Sequence, residues 1–117
     1  MVKTVEVDGF KIHISNRGEK TPHHACCECD QCVEVEREDC FLVACISQCK
    51  IWVNFVIGKL KEPMDALVKL TGIKDVVFCT IINSELFEKL KNVKRVFTIG
   101  DYYHGEETEC VEVEWIT

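Results

Sequence analysis

The fold turns on residues 40–58, CFLVACISQCKIWVNFVIG. Two apolar runs, Cys40 to Ile46 and Ile51 to Gly58, flank a break at Ser47-Gln48. They are rich in β-branched and aromatic side chains, which suit a pleated, buried surface. A helix from Asp39 to Cys49 also fits the pattern, because Leu42, Val43, Ile46 and Cys49 would share one face; composition decides for strands. With the alternation at Val33 and Val35 just upstream, residues 32–58 read as two or three strands buried on one or both faces.

The same logic extends in both directions. Val5 and Val7 alternate with charged residues, Asp8-Gly9 supplies the two positive-φ positions of a tight turn, and Phe10, Ile12 and Ile14 resume the alternation, so the chain is expected to open with a hairpin. His13 shares a face with Lys11 and reads as a solvated strand residue. Downstream, Pro63 suits the first turn of a helix with Met64, Leu67 and Leu70 as its apolar stripe and Gly72 as its stop. Asp75 to Ile82 reads as a buried strand. Asn83 or Ser84 caps a second predicted helix with Leu86, Phe87, Leu90 and Val93 at helical spacing. A last hairpin runs from Arg95 to Tyr103 and from Thr108 to Ile116. The expectation is one α+β domain over residues 1–117: a mixed, mostly antiparallel sheet with two short helices.

Composition narrows the function classes. The 117 residues carry a net charge of −6 and 47% hydrophobic side chains, enough for one core. The acidic balance argues against nucleic acid as a partner, since phosphate contacts need clustered Lys and Arg. No run approaches the ~18–20 apolar residues of a membrane span, and the opening residues lack the apolar core of a signal peptide, so a cytoplasmic protein without membrane association is expected. Partner identity, whether protein or small molecule, and oligomeric state are not written in these residues.

Nine cysteines are the unusual feature. Four fall in His23-His24-Ala25-Cys26-Cys27-Glu28-Cys29-Asp30-Gln31-Cys32, within a segment from 16 to 32 that lacks hydrophobic periodicity and reads as a loop. His23 and Cys26, His24 and Cys27, Cys26 and Cys29, and Cys29 and Cys32 each have two residues between them. That spacing lets a tight turn aim both side chains at one ion, as structural zinc sites require. The candidate metal ligands are therefore His23, His24, Cys26, Cys27, Cys29 and Cys32, with Cys40 as a further recruit. Cys26, Cys29 and Cys32 also have the spacing of bacterial ferredoxin motifs, which makes a [4Fe–4S] cluster or thiol redox chemistry one alternative; unliganded thiols or disulfides are another. Cys45 and Cys79, set among apolar neighbours, read as small core residues; Cys49 and Cys110 are left open. No catalytic residue is indicated, because Glu28 and Asp30 would raise a neighbouring thiol's pKa and oppose its activation.

From Ile51 onward the order strand, helix, strand, helix, hairpin resembles the C-terminal half of the GNAT acetyltransferase superfamily. The resemblance is carried by GIKDVVFCTIINSELFEKLKN, residues 72–92, with Asn83 and Phe87-Glu88-Lys89-Leu90 where members commonly show Tyr-Glu-Lys-Leu. It implies an acetyl-CoA site at Val56 to Pro63, with Gly58, Lys59 and Lys61 meeting phosphates. Here Gly58-Lys59-Leu60-Lys61-Glu62-Pro63 replaces that family's glycine-rich loop, and Phe87 stands where its tyrosine acid is common. Two functions are thus expected from different classes: a small zinc-binding interaction module, or a degenerate acyl-CoA-binding protein or acyltransferase.

Overall fold

In the computed structural model, which describes residues 2–23, 29–79, 90–100 and 107–117, the alternating segments join one eight-stranded sheet. Asp8 and Gly9, at φ 50° and 85°, make the expected tight turn between β1 (Lys3–Val7) and β2 (Phe10–Asn16). The connection from β2, described at residues 17–23 and 29–30 and irregular there, leads to a meander of β3 (Gln31–Arg37), β4 (Cys40–Ser47) and β5 (Lys50–Gly58), with turns at Glu38-Asp39 and Gln48-Cys49. Residues 40–58 are therefore two strands, and the helical alternative from Asp39 to Cys49 does not form. Helix α1 (Lys61–Thr71) carries the chain to β6 (Asp75–Cys79), which lies parallel to β5. Strands β7 (Val93–Gly100) and β8 (Glu107–Glu114) complete the order β1-β2-β3-β4-β5-β6-β8-β7. Every pairing except β5–β6 is antiparallel.

Helix α1 packs across the β1–β4 half of the sheet and buries Met64, Ala66, Leu67 and Val68. They meet Phe10, Ile12, Val33, Val35, Leu42, Ala44, Ile51 and Val53 in one apolar core that continues through Val76, Phe78, Val111 and Val113. The helix stops where expected: Gly72 is left-handed at φ 73°, and its N–H donates to the Val68 carbonyl at 2.8 Å, a conformation that favours glycine. Trp115 Nε1 donates to Asp65 at 2.8 Å and ties the chain beyond β8 to the helix.

The α+β expectation is corrected. The structure is predominantly β, a single mixed sheet with one helix among the described residues. The second predicted helix falls mainly on residues 80–89, which lie outside the described residues. Val93, placed on that helix by its spacing, instead opens β7, because the run from Val93 to Gly100 finds an antiparallel partner in β8, with one register shift between Val93 and Arg95. Tertiary pairing overrides a helical period that rested on few residues. The segment read as a loop also ends earlier than expected, at residue 30, so Cys32 sits in β3.

A β-bulge interrupts β4–β5. Val43 pairs with Phe55 but Ala44 with Val53, leaving Asn54 as the extra residue. The bulge resets the alternation, so Val53 and Val56 both face the helix although they are three residues apart.

Candidate functional site

The side of the sheet away from α1 has a different composition. Strand register sets side chains into rows across it. One row reads Ser15, Cys32, Cys45, Trp52 on β2 to β5; the next reads Thr4, His13, Glu34, Val43, Phe55 on β1 to β5; a third reads Glu6, Lys11, Glu36, Phe41, Ile57. Neighbouring residues in a row lie within side-chain contact range. The described parts of the connection between β2 and β3, residues 17–23 and 29–30, reach over these rows through Thr21, His23 and Cys29.

The loop is held by a buried carboxylate. Glu34 is fully buried and accepts hydrogen bonds from Thr21 Oγ1 at 2.7 Å and the His23 backbone N–H at 3.1 Å. Glu36 lies against Nε2 of both His23, at 2.5 Å, and His13, at 3.2 Å. Burial pushes the Glu36 carboxyl up, but the two histidines outweigh it and leave the group below the usual carboxylate range. The His23 ring also stands edge-on to Phe41, with centroids 5.0 Å apart. Near the other end, Asp30 takes hydrogen bonds from Arg17 at 3.0 Å and Ser47 at 3.1 Å. His13 is therefore buried beneath the loop, not solvated as its alternation implied.

These anchors bring Cys29 over the thiol row. The sulfurs of Cys29, Cys32 and Cys45 all lie within 4.8 Å of one another, a group able to hold a metal ion. Cys29 and Cys45 are joined as a disulfide, with Cα atoms 6.1 Å apart, Cys29 Sγ is 3.3 Å from Cys32 Sγ, and Cys32 is itself disulfide-bonded. Two polar groups attend the cluster. The bulged Asn54 donates its amide to Cys45 Sγ at 3.3 Å. Ser15, opposite Cys32 in register, buries a hydroxyl that has no hydrogen-bond partner among the described residues.

Of the ligands predicted from spacing, Cys29 and Cys32 meet in this cluster, while His23 is engaged by Glu36. His24, Cys26 and Cys27 lie outside the described residues. Cys45, read from its apolar neighbours as core, is the third member. The signal for it was the short turn between β3 and β4. Arg37 pairs with Cys40 across Glu38-Asp39, so stepping back along β3 to Cys32 steps forward along β4 to Cys45. Among the remaining cysteines, Cys79 and Cys110 are opposite one another on β6 and β8 and form a disulfide. Cys40 is buried and free, its thiol pushed up by burial and by Asp39. Cys49 is free and exposed in the Gln48-Cys49 turn.

The residues singled out for acyl-CoA lie elsewhere. A cavity of about 550 Å³ at the start of α1 is lined by Lys59, Leu60, Lys61, Leu90, Trp115 and Ile116, among others. Lys59 pairs with Asp39 at 3.5 Å and Glu62 at 3.6 Å, and Lys61 with Asp65 at 2.6 Å. Gly58 has a backbone role: at φ 81°, a Cβ there would run into the Asp39 carbonyl.

No family model, curated protein or solved structure compared with this chain matches it. Among the described residues no helix is long and apolar enough to cross a membrane.

Proposed function

We propose that this protein is a small metal-binding β module in which zinc, held by Cys29, Cys32 and Cys45, fixes the 17–30 loop on the sheet for contact with a partner. The observation that carries this reading is the convergence of three sulfurs within 4.8 Å, two from neighbouring strands and one from a loop. A tetrahedral zinc with Zn–S bonds of ~2.3 Å needs its sulfurs in this range. The buried Ser15 hydroxyl and the Asn54 amide support it, because donors beside a thiol row suit sulfurs that carry negative charge, and outer donors of this kind tune metal sites. The loop's own Cys26 and Cys27, at ferredoxin-like and zinc-like spacing, are the candidates for the fourth ligand. Such a zinc is structural and needs no open coordination position.

The test is elemental analysis of protein purified anaerobically in reductant, with thiol titration and a visible spectrum. About one zinc per chain and protected thiols are expected. Full titration of the thiols without metal uptake overturns the reading, and brown absorbance replaces zinc with an iron–sulfur cluster.

The cavity beside Lys59 and Lys61 favours a second reading, in which an anionic amphiphile of the acyl-CoA class binds there, its chain against Leu60, Leu90 and Ile116. A thermal-shift titration with acetyl-CoA tests it. A rise in Tm with ligand concentration is expected by mass action, and no shift at millimolar acetyl-CoA removes the reading.

A further inference from the structure

We infer that the Cys29, Cys32 and Cys45 cluster is a redox-gated metal site, in which a hydroperoxide converts Cys29 and Cys45 into a disulfide and expels the zinc. This rests on the zinc reading above and adds its regulation. Disulfide and metal site draw on the same sulfurs: Cys29 and Cys45 are bonded to each other and Cys32 is disulfide-bonded too, yet all three belong to the triad that can hold an ion. The two states are therefore mutually exclusive. Their interconversion needs little backbone movement, since the Cα separation of 6.1 Å already lies in the ~4.4–6.8 Å range of disulfides.

The positions of the three cysteines set the order of events. Cys45 and Cys32 are buried on adjacent strands, whereas Cys29 is partly exposed on the loop. A peroxide thus meets Cys29 first. The Cys29 thiolate attacks the distal peroxide oxygen, the O–O bond breaks, and the departing alkoxide or hydroxide takes a proton from water, leaving a sulfenic acid at Cys29. Cys45 then attacks the Cys29 sulfur, the S–S bond forms and hydroxide leaves. Two thiolates have lost two electrons, the peroxide has gained them, and Zn²⁺ has lost two of its ligands and passes to solvent.

The loop does not leave with the metal. Glu34 still holds Thr21 and His23, Glu36 still holds His23, and Asp30 still holds Arg17 and Ser47. Oxidation exchanges one crosslink for another over a docked loop, so the signal is metal release without unfolding. Cys40 and Cys49 stand outside the cluster and serve as internal controls.

The experiment uses the full chain, zinc-loaded and freed of excess reductant, titrated with hydrogen peroxide while a chromogenic indicator reads zinc. Expected is one zinc released per peroxide consumed, a disulfide mapped by mass spectrometry to Cys29–Cys45, unchanged sheet circular dichroism, and recovery of zinc binding after dithiothreitol. Cys49→Ser should behave as the parent. Release accompanied by sulfinic or sulfonic acids, by pairing of Cys29 or Cys45 with any other cysteine, or by loss of the sheet overturns the switch. A reduced chain that takes up no zinc at all defeats the metal reading itself, whereas a chain that holds zinc but keeps it under peroxide defeats only the gating.

Discussion

The two faces of the sheet use the same strands and solve opposite problems. Toward α1, the centres of the rows are apolar, from Ile12, Val35 and Leu42 to Ile51, Val76 and Val113, and a single amphipathic helix covers much of that face. Away from α1, the rows hold Ser15, His13, Glu34, Glu36 and two cysteines, and an irregular loop covers them through specific hydrogen bonds. The first face derives its stability from burial, which is non-directional and tolerant of detail. The second depends on partners being present, because buried polar groups are costly when unpaired. Function is expected where partners matter, and that is where the sulfurs meet.

This contrast can be broken at several points. The largest effect is expected on the helix-covered side: Phe78→Ala removes a fully buried ring and should cost about 3–5 kcal/mol, read as a lower denaturant midpoint, while the zinc content of the folded fraction stays the same. If metal is lost in step with stability, the faces are not independent. Glu34→Leu should cost less, about 1–3 kcal/mol, by stranding the Thr21 hydroxyl and the His23 amide. Hydrogen exchange should show loop amides losing protection ahead of those of β3 and β4. Ser15→Ala should weaken zinc binding by about tenfold through loss of an outer donor, with the denaturant midpoint unchanged or raised, since the hydroxyl has no partner to lose; competition with a zinc chelator measures it.

The smallest effect concerns pH. The folded-state pKa of Glu36 is depressed, so the folded protein binds fewer protons than the unfolded chain as acid is added. Its contribution is complete above the ordinary glutamate value of ~4.3 and is lost as pH falls through the lower folded value. In reduced, metal-free protein, the NMR shift of the His23 amide should report loosening below that pH, and Glu36→Gln should abolish the step. The far end of the same face offers the opposite sign. Burial and the neighbouring Glu112 push Asp75 up, while its hydrogen bond to Asp75, together with Arg95 and Lys50, holds Glu112 down at about 2. Asp75→Asn should therefore leave the protein as stable or slightly more stable at neutral pH, as a thermal melt would show.

Much of this architecture was legible before any coordinates. Asp8-Gly9 announced the first hairpin, and Met64, Leu67 and Gly72 announced α1 and its end, because turn chemistry and amphipathic period are local properties. What escaped had non-local causes. Val93 reads as helical until β8 is available to pair with it. The run IWVNFVIG looks continuously apolar because the bulge at Asn54 interrupts a simple alternation. Cys29 and Cys32 stood out by spacing, whereas Cys45 lay hidden among apolar neighbours, and its role follows from which residue sits opposite it. His13 was read as solvated because strand alternation says nothing about a loop folding back over the polar face.

The short turn at Glu38-Asp39 thereby works as a ruler. It is not part of the three-sulfur cluster, yet it fixes which residue of β4 lies beside Cys32. One added residue in that turn would slide β4 by a single step and rotate every later side chain to the other face, sending Cys45 into the apolar core and Ala44 to the thiol row. The loop that supplies Cys29 has no comparable constraint on its length, since the ladder closes below it at Asn16 and Gln31 and residues added beyond that pair need not slide either strand. In a lineage of such chains, insertions would be expected to accumulate between Arg17 and Asp30 and to be purged between Arg37 and Cys40, so that the pattern of permitted lengths would itself mark the site.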